Sequence, residues 1–129
     1  MNNSDKMISL AHRVLDDESE AITQLKAKIG DSFVSACNLL LNCQGRIVVT
    51  GMGKSGHIGS KIASTLASTG SPAFFVHPGE AGHGDMGMIT PQDTVIALSN
   101  SGETDELITL IPIIKRIGVP LITITGNSR

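Results

Sequence analysis

Apolar residues in the first third of the chain recur at helical spacing. This stripe consists of Met7, Leu10, Ala11, Val14, Leu15, Ile22, Leu25 and Ile29. Charged residues such as Asp16 and Lys26 fall off the stripe, so the pattern predicts an amphipathic helix that ends at Gly30. A second apolar face begins at Phe33 and predicts another helix before Gly45.

From Arg46 onward, short β-branched runs alternate with helical patterns. The expected strands are Arg46–Thr50, Ala73–Val76, Thr94–Leu98 and Leu121–Ile124, and the expected helices are Ser55–Ser68 and Leu107–Ile117. Continuous apolar strands that alternate with helices are typical of a parallel sheet covered on both faces. The fold class is therefore α/β: a parallel β-sheet with helices on both faces, preceded by two N-terminal helices.

This architecture indicates where a ligand would bind. In an open parallel sheet, ligands bind beyond the carboxyl ends of the strands. The loops expected there are Gly51–Gly56, His77–Met88 and Ser99–Thr104, all rich in Gly, Ser or His.

Composition and charge narrow the function classes. The chain has 129 residues with 40% apolar residues, enough for one hydrophobic core. Three Phe, no Tyr and no Trp leave no aromatic surface for stacking nucleobases. With a net charge of −2, any anionic ligand must be held by a local site. We therefore expect neither a nucleic-acid nor a membrane partner. Cys37 and Cys43 are expected to be reduced. Because no signal peptide is apparent, we expect the protein to be cytoplasmic.

The first loop, Gly51-Met52-Gly53-Lys54-Ser55-Gly56-His57, combines glycines, a charge and a hydroxyl before a helix. Backbone N–H groups at a helix start, with Lys54 and Ser55, suit a phosphate or a sugar oxygen. The alternative is a tight strand-to-helix turn without a ligand. The loop also satisfies the dinucleotide fingerprint G-x-G-x-x-G, but Thr65–Gly79 contains no acidic partner. Val48 stands where a P-loop needs its first glycine.

The third loop reads Ser99-Asn100-Ser101-Gly102-Glu103-Thr104. Its hydroxyls and its amide can surround a phosphate with neutral donors, which hold an anion less tightly than arginine pairs do. The alternative is that these residues only cap the following helix. One cap needs one hydroxyl, however, and this loop has three.

Together, S-x-S-G-E-T after a strand and the earlier G-M-G-K-S-G-H resemble the SIS (sugar isomerase) domain. The segment His77–Asp85 is similar to that of bacterial arabinose 5-phosphate isomerases, and the resemblance covers Arg46–Gly126. It implies a five-stranded parallel sheet. It also implies isomerisation of D-ribulose 5-phosphate to D-arabinose 5-phosphate for lipopolysaccharide sugar synthesis, in a homo-oligomer (dimer or tetramer).

The resemblance also implies roles for individual residues. The catalytic residues would be Lys54 and Glu106. The substrate-binding residues would be Gly70, Ser71, His83, Ser99, Asn100, Ser101 and Thr104, to which the glycine loop adds Gly53 and Ser55. His77 matches a histidine reported to take a metal ion.

These roles suit aldose–ketose chemistry, in which a proton moves between adjacent carbons through an enediol. A carboxylate such as Glu106 can act as the base, while Lys54 can stabilise the enediolate oxygen. The alternative for Glu106 is a simple interaction with the helix dipole. We interpret Glu103, in the capping position of the loop, as structural or as a support for the residues that touch the substrate. Because the acidic and histidine residues of His77–Asp85 match no closed zinc site, we expect no required cofactor, and any zinc at His77 to be incidental or inhibitory.

The sequence predicts two segments: residues 1–45, a helical segment packing on the domain, and residues 46–129, an incomplete SIS domain. Members of the family continue with a fifth strand, so we interpret the chain as a fragment truncated after about four strands, and we do not expect it to be active alone. Two alternatives remain. A sugar-phosphate-binding regulatory module would need the phosphate loop but not a base such as Glu106. An NAD-binding domain would need the acidic residue that is missing.

Overall fold

The computed structural model describes residues 2–81, 85–100 and 105–126 of the chain. Its helical elements are α1 (Asn3–Gln24), a 3-10 turn (Leu25–Lys28), α2 (Asp31–Leu41), α3 (Gly53–Ser68), α4 (Pro78–Ala81), a second 3-10 turn (Asp85–Met88) and α5 (Asp105–Ile117). Its strands are β1 (Ile47–Gly51), β2 (Ala73–Val76), β3 (Thr94–Ser99) and β4 (Leu121–Thr125). The chain divides into two compact units, Met1–Ser35 and Ala36–Arg129.

The first unit is dominated by α1, which begins where the sequence supplies a cap. The side-chain oxygen of Asn2 accepts a hydrogen bond from the backbone N–H of Asp5 at 2.8 Å. This bond satisfies one of the N–H groups that have no partner inside the helix. None of the residues of α1 is buried. The two predicted N-terminal helices are thus present, and the apolar stripe of the first one is exposed.

The second unit contains a four-stranded parallel sheet in the order β2-β1-β3-β4. The parallel α/β fold predicted from the sequence is therefore confirmed. All five residues of β1 are buried, because this strand lies inside the sheet and is covered on both faces. Such a strand needs a continuous apolar run, and Ile47-Val48-Val49 provides one.

The two faces of the sheet are covered by different helices. On one face, Ala63 of α3 packs in a core cluster with Ile47 and Val49. On the other face, Leu110 of α5 packs in a cluster with Val48. The side chains of consecutive strand residues point to opposite faces, so β1 contributes to both clusters.

The amino-terminal edge of the sheet is fixed by a buried carboxylate. Asp93 is 2% exposed, and its two oxygens accept hydrogen bonds from the backbone N–H groups of Arg46 at 2.7 Å and Thr90 at 2.8 Å. The guanidinium of Arg46 lies 4.3 Å from the ring centre of Phe74 and donates to the carbonyl of Met88 at 2.8 Å. These contacts attach the segment before β3 to the start of β1.

Some element boundaries differ from the predicted ones. The third helix begins at Gly53 rather than Ser55, so most of the predicted glycine loop belongs to the helix. Gly53 has a φ of +56°, a conformation that glycine adopts without strain and that other residues avoid. No helix in the described part of the chain is long and apolar enough to cross a membrane.

Candidate functional site

The candidate site lies at the carboxyl edge of the sheet, between β1 and β3. The chain leaves β1 towards β2 on one side and leaves β3 towards β4 on the other. The loops after β1 and β3 therefore diverge and leave a crevice, which is where open α/β sheets bind ligands. Gly51, the last residue of β1, pairs with Leu98 of β3. The residues that follow Gly51 and those that follow Ser99 therefore leave neighbouring strands, which are about 4.8 Å apart.

Glycines allow α3 to begin very close to the sheet. A Cβ atom on Gly51 would lie 3.1 Å from the carbonyl oxygen of Leu98, and one on Gly56 would lie 2.6 Å from the carbonyl oxygen of Gly51. Met52, the N-cap residue, makes no side-chain cap hydrogen bond in the described part of the chain. The start of α3 is therefore suited to an anion, which the helix dipole favours there.

Two side chains of the predicted cradle lie in the first turn of α3. Lys54 is exposed and Ser55 is half-buried. A lysine at this position adds a full positive charge to the partial charge of the helix start. The structure therefore brings Gly53, Lys54 and Ser55 to the same edge of the sheet as the end of β3.

The phosphate loop predicted after β3 is described only at its start. Ser99 ends β3 with 9% of its surface exposed, and Asn100 is exposed. The carbonyl oxygen of Asn100 accepts hydrogen bonds from Gly126 N–H at 3.0 Å and from the Thr125 hydroxyl at 3.4 Å. The end of β4 thus holds the start of this loop in place. Ser101 and Thr104 lie outside the described residues.

The candidate base, Glu106, is the second residue of α5. It immediately precedes Leu107, which is buried in the core, and α5 begins at the same edge of the sheet as α3. The backbone of Glu106 is therefore at the candidate site, while its side chain is outside the described part of the structure. Glu103 and His83 also lie outside it.

His77 follows β2 at the same edge, because Val76 pairs with Thr50. Its ring is exposed, and its Nδ1 atom accepts a hydrogen bond from the Gly79 N–H at 3.1 Å. This bond uses the Nδ1 lone pair, so a neutral ring carries its proton on Nε2. A metal ion bound to His77 would therefore have to break the hydrogen bond from Gly79 at Nδ1 or replace the proton on Nε2. Among the described residues, no three His, Cys, Asp or Glu side chains form a group that could hold a metal ion.

Two predicted binding residues lie at the opposite edge of the sheet. Gly70 and Ser71 follow the carboxyl end of α3, and the carbonyl of the next residue, Pro72, accepts a hydrogen bond from Ile47 N–H at 2.8 Å. Ile47 is the first residue of β1. The 16 residues of α3 span about 24 Å, so these two residues do not join Lys54 and Ser99 within one copy of the chain.

A groove of about 150 Å³ runs along α5 and β4 next to the candidate site. Ser99 and Thr125 line it together with apolar side chains such as Leu107, Ile108 and Leu121. A mainly apolar lining does not suit a phosphate. The N–H groups at the start of α3 do not line this groove, and Ser99, at the end of β3, lies on its border.

A polar residue next to the site was not indicated by the sequence pattern. Thr50, one residue before Gly51, is 3% exposed, and its hydroxyl has no hydrogen-bond partner among the described residues. It also lines a cavity of about 10 Å³ with Val48, Val76 and Leu110. The sequence feature that could have pointed to Thr50 is its place as a threonine at the end of an otherwise aliphatic run.

Comparison with known proteins agrees with this geometry. The chain is 61% identical over 129 residues to arabinose 5-phosphate isomerase KdsD of Pseudomonas aeruginosa, covering 98% of this chain and 40% of the relative. It is 60% identical over 114 residues to the KdsD protein of Escherichia coli K12, covering 88% of this chain and 35% of the relative. The chain thus spans well under half the length of these curated relatives.

A solved structure is similar over nearly the whole chain. The structure of the c3406 protein of E. coli CFT073, in complex with a sugar phosphate, superposes with a TM-score of 0.90 at 43% identity, covering 98% of this chain and 67% of that one. The SIS domain family matches residues 40–129, which include all four strands and both helices that cover the sheet. The chain therefore belongs to the SIS domain family.

Proposed function

We propose that the protein to which this chain belongs is a sugar-phosphate isomerase that interconverts D-ribulose 5-phosphate and D-arabinose 5-phosphate. The observation that carries the proposal is the 61% identity to an arabinose 5-phosphate isomerase over 98% of the chain. The local geometry supports it, because the starts of α3 and α5 and the residues Lys54 and Ser99 meet at one switch point of the sheet.

In this proposal the phosphate binds at the carboxyl edge. The N–H groups at the start of α3 and the polar residues from Ser99 to Thr104 surround its oxygens. Anchoring the phosphate holds the sugar chain in one orientation, so that the reacting carbons lie at a fixed distance from α5. Such positioning contributes a large part of the rate in reactions of bound substrates.

The proton transfer is assigned to Glu106. Its carboxylate removes a proton from the carbon next to the carbonyl and returns it to the adjacent carbon, through an enediol. Lys54 stabilises the negative charge that develops on the enediolate oxygen. No cofactor is required for this chemistry, and a zinc ion at His77 would be incidental or inhibitory.

We also propose where the enzyme acts and how it is assembled. We expect it to be a cytoplasmic homo-oligomer that takes part in the synthesis of lipopolysaccharide sugars. In such an assembly, Gly70 and Ser71 of one copy can reach a substrate bound to another, which would reconcile their predicted role with their place at the amino-terminal edge.

The test is turnover of D-ribulose 5-phosphate by the full-length protein, with Glu106→Gln as the variant. Glu103→Gln is the matched control, since Glu103 is a nearby carboxylate interpreted as structural. We expect Glu106→Gln to lower kcat by about 100-fold or more, as removal of a general base does, and Glu103→Gln to keep most of the activity. Retained turnover in Glu106→Gln would show that Glu106 is not the base.

A further inference from the structure

Gly126, which follows β4, lies against Asn100, the second residue of the predicted phosphate loop. Ser99 and Thr125 pair at the ends of β3 and β4, so Asn100 and Gly126 leave the sheet side by side. The backbone N–H of Gly126 donates a hydrogen bond to the carbonyl oxygen of Asn100 at 3.0 Å. This bond extends the pairing of the two parallel strands to the point where the loop begins.

Gly126 leaves room for the side chain of Asn100. A Cβ atom on Gly126 would lie 2.8 Å from Oδ1 of Asn100 and 3.1 Å from its carbonyl oxygen. Even favourable contacts between carbon and oxygen atoms are about 3.3–3.6 Å long. A side chain at position 126 would therefore displace the amide group of Asn100 and push on its backbone.

The backbone conformation of Gly126 does not itself require a glycine. In the described part of the chain, the glycines with a positive φ are Gly53, Gly70 and Gly118. Gly126 thus has a conformation that other residues adopt, and an alanine there would add no backbone strain. The structural reason for a glycine at position 126 is the space that Asn100 needs.

The hydrogen bond from Gly126 also determines the direction of the Asn100 carbonyl. β4 lies beside β3 on the side away from β1, so this carbonyl points away from the crevice between β1 and β3. A carbonyl oxygen carries a partial negative charge, which would repel an anion if it pointed into the crevice. The Thr125 hydroxyl also contacts this oxygen, but at 3.4 Å the contact is longer than a usual hydroxyl hydrogen bond of about 2.8 Å.

We propose that Gly126 is a positioning residue for the sugar phosphate: it holds Asn100 in the orientation in which the loop after β3 binds the phosphate. The inference rests on the proposed function, in which the polar residues from Ser99 to Thr104 surround the phosphate oxygens. Gly126 acts through the side chain and the carbonyl of Asn100, and not on the substrate itself.

Calorimetric titration of the full-length protein with D-arabinose 5-phosphate tests this role. The main variant is Gly126→Ala, and the matched control is Gly30→Ala, where a Cβ atom would meet nothing within 4 Å. Both substitutions are also made together with Asn100→Ala, which removes the Oδ1 atom that the new Cβ would meet. Thermal denaturation of each variant measures whether the fold is retained.

We expect Gly126→Ala to raise the Kd for D-arabinose 5-phosphate by about fivefold or more, because small displacements within a site are costly. Its melting temperature should stay close to that of the unmodified protein. When Asn100 is already alanine, Gly126→Ala should change the Kd by less than about twofold, since residues that act through one contact are not additive. Gly30→Ala should leave the Kd unchanged in both cases.

Unchanged affinity of Gly126→Ala would overturn the proposal. An equal loss of affinity from Gly126→Ala with and without the Asn100 side chain would also overturn it, because the glycine would then not act through Asn100. An unfolded Gly126→Ala variant would assign the glycine to stability alone and so contradict a positioning role. If the folded, unmodified protein does not bind D-arabinose 5-phosphate, the proposed function fails together with this inference.

Discussion

Thr50 shows how a single side chain at the candidate site affects stability. Its hydroxyl is buried at the end of β1, with no partner among the described residues and with apolar neighbours such as Val76 and Leu110. A buried hydroxyl without a hydrogen bond loses its hydration and gains nothing in return. The cavity of about 10 Å³ beside it is at the lower limit for one water molecule.

Replacing Thr50 by valine should therefore stabilise the fold. Valine has nearly the same shape without the hydroxyl, so Thr50→Val is expected to raise the free energy of unfolding by about 1–3 kcal/mol. Urea denaturation measures this change. Thr50→Ser, which keeps the hydroxyl and removes the methyl group, is the control and should lower stability. A less stable Thr50→Val would mean that the hydroxyl has a partner.

Asp93 is a buried polar side chain that stabilises the fold, unlike Thr50, because both of its oxygens accept hydrogen bonds from backbone N–H groups. Asp93→Ala removes two partly buried hydrogen bonds to a charged acceptor and should cost about 2–4 kcal/mol in the free energy of unfolding. Asp93→Asn keeps one acceptor oxygen and should cost less. If thermal denaturation gave equal losses for the two variants, the two hydrogen bonds would not be the source of the stability.

At the scale of elements, the start of α3 depends on close contact with β1. A Cβ atom on Gly56 would lie 2.6 Å from the carbonyl oxygen of Gly51, and neither backbone segment can move without displacing the other. A side chain at this position would therefore push α3 away from the sheet. The N–H groups that we assign to the phosphate would move with it.

Gly56→Ala should consequently reduce both stability and ligand binding. We expect a loss of about 1–3 kcal/mol in the free energy of unfolding, together with weaker binding of D-arabinose 5-phosphate. The control is Gly30→Ala, where a Cβ atom would meet nothing within 4 Å. Thermal denaturation and calorimetric titration of the two variants test the prediction, and a Gly56→Ala variant that binds normally would contradict it.

Most elements of the second unit could be predicted from the sequence, because their signals are local. The runs Ile47–Gly51 and Ala73–Val76 are short, apolar and bounded by glycine or proline, so their strands were identifiable within one residue at each end. The start of α3 was placed two residues late. A glycine pair usually indicates a turn, whereas Gly53, with a φ of +56°, is already the first residue of the helix.

At the scale of the whole molecule, less could be predicted. The order of the strands, with β1 beside β3, depends on contacts between residues far apart in sequence, and no local pattern encodes it. The order determines which loops meet: it brings Lys54 to the end of β3, and it leaves Gly70 and Ser71 at the other edge. Their predicted roles came from a resemblance of motifs, and they remain predictions.

We propose that the carboxyl edge of the sheet between β1 and β3 binds a phosphorylated sugar. The most direct measurement is an NMR titration of the chain with D-arabinose 5-phosphate, with unphosphorylated arabinose and NAD as control ligands. The variants are Lys54→Ala, in the first turn of α3, and its matched control Lys61→Ala, an exposed lysine further along the same helix.

We predict that D-arabinose 5-phosphate shifts the amide signals of residues 51–57 and 99–100, while arabinose and NAD leave them unchanged. Lys54→Ala should raise the Kd by about tenfold or more, because it removes the positive charge that Lys54 adds to the start of α3 beside the bound anion, and Lys61→Ala should not change it. Binding of NAD and not of the sugar phosphate by the folded chain would contradict a sugar-phosphate site, and so would an equal loss of binding in both lysine variants.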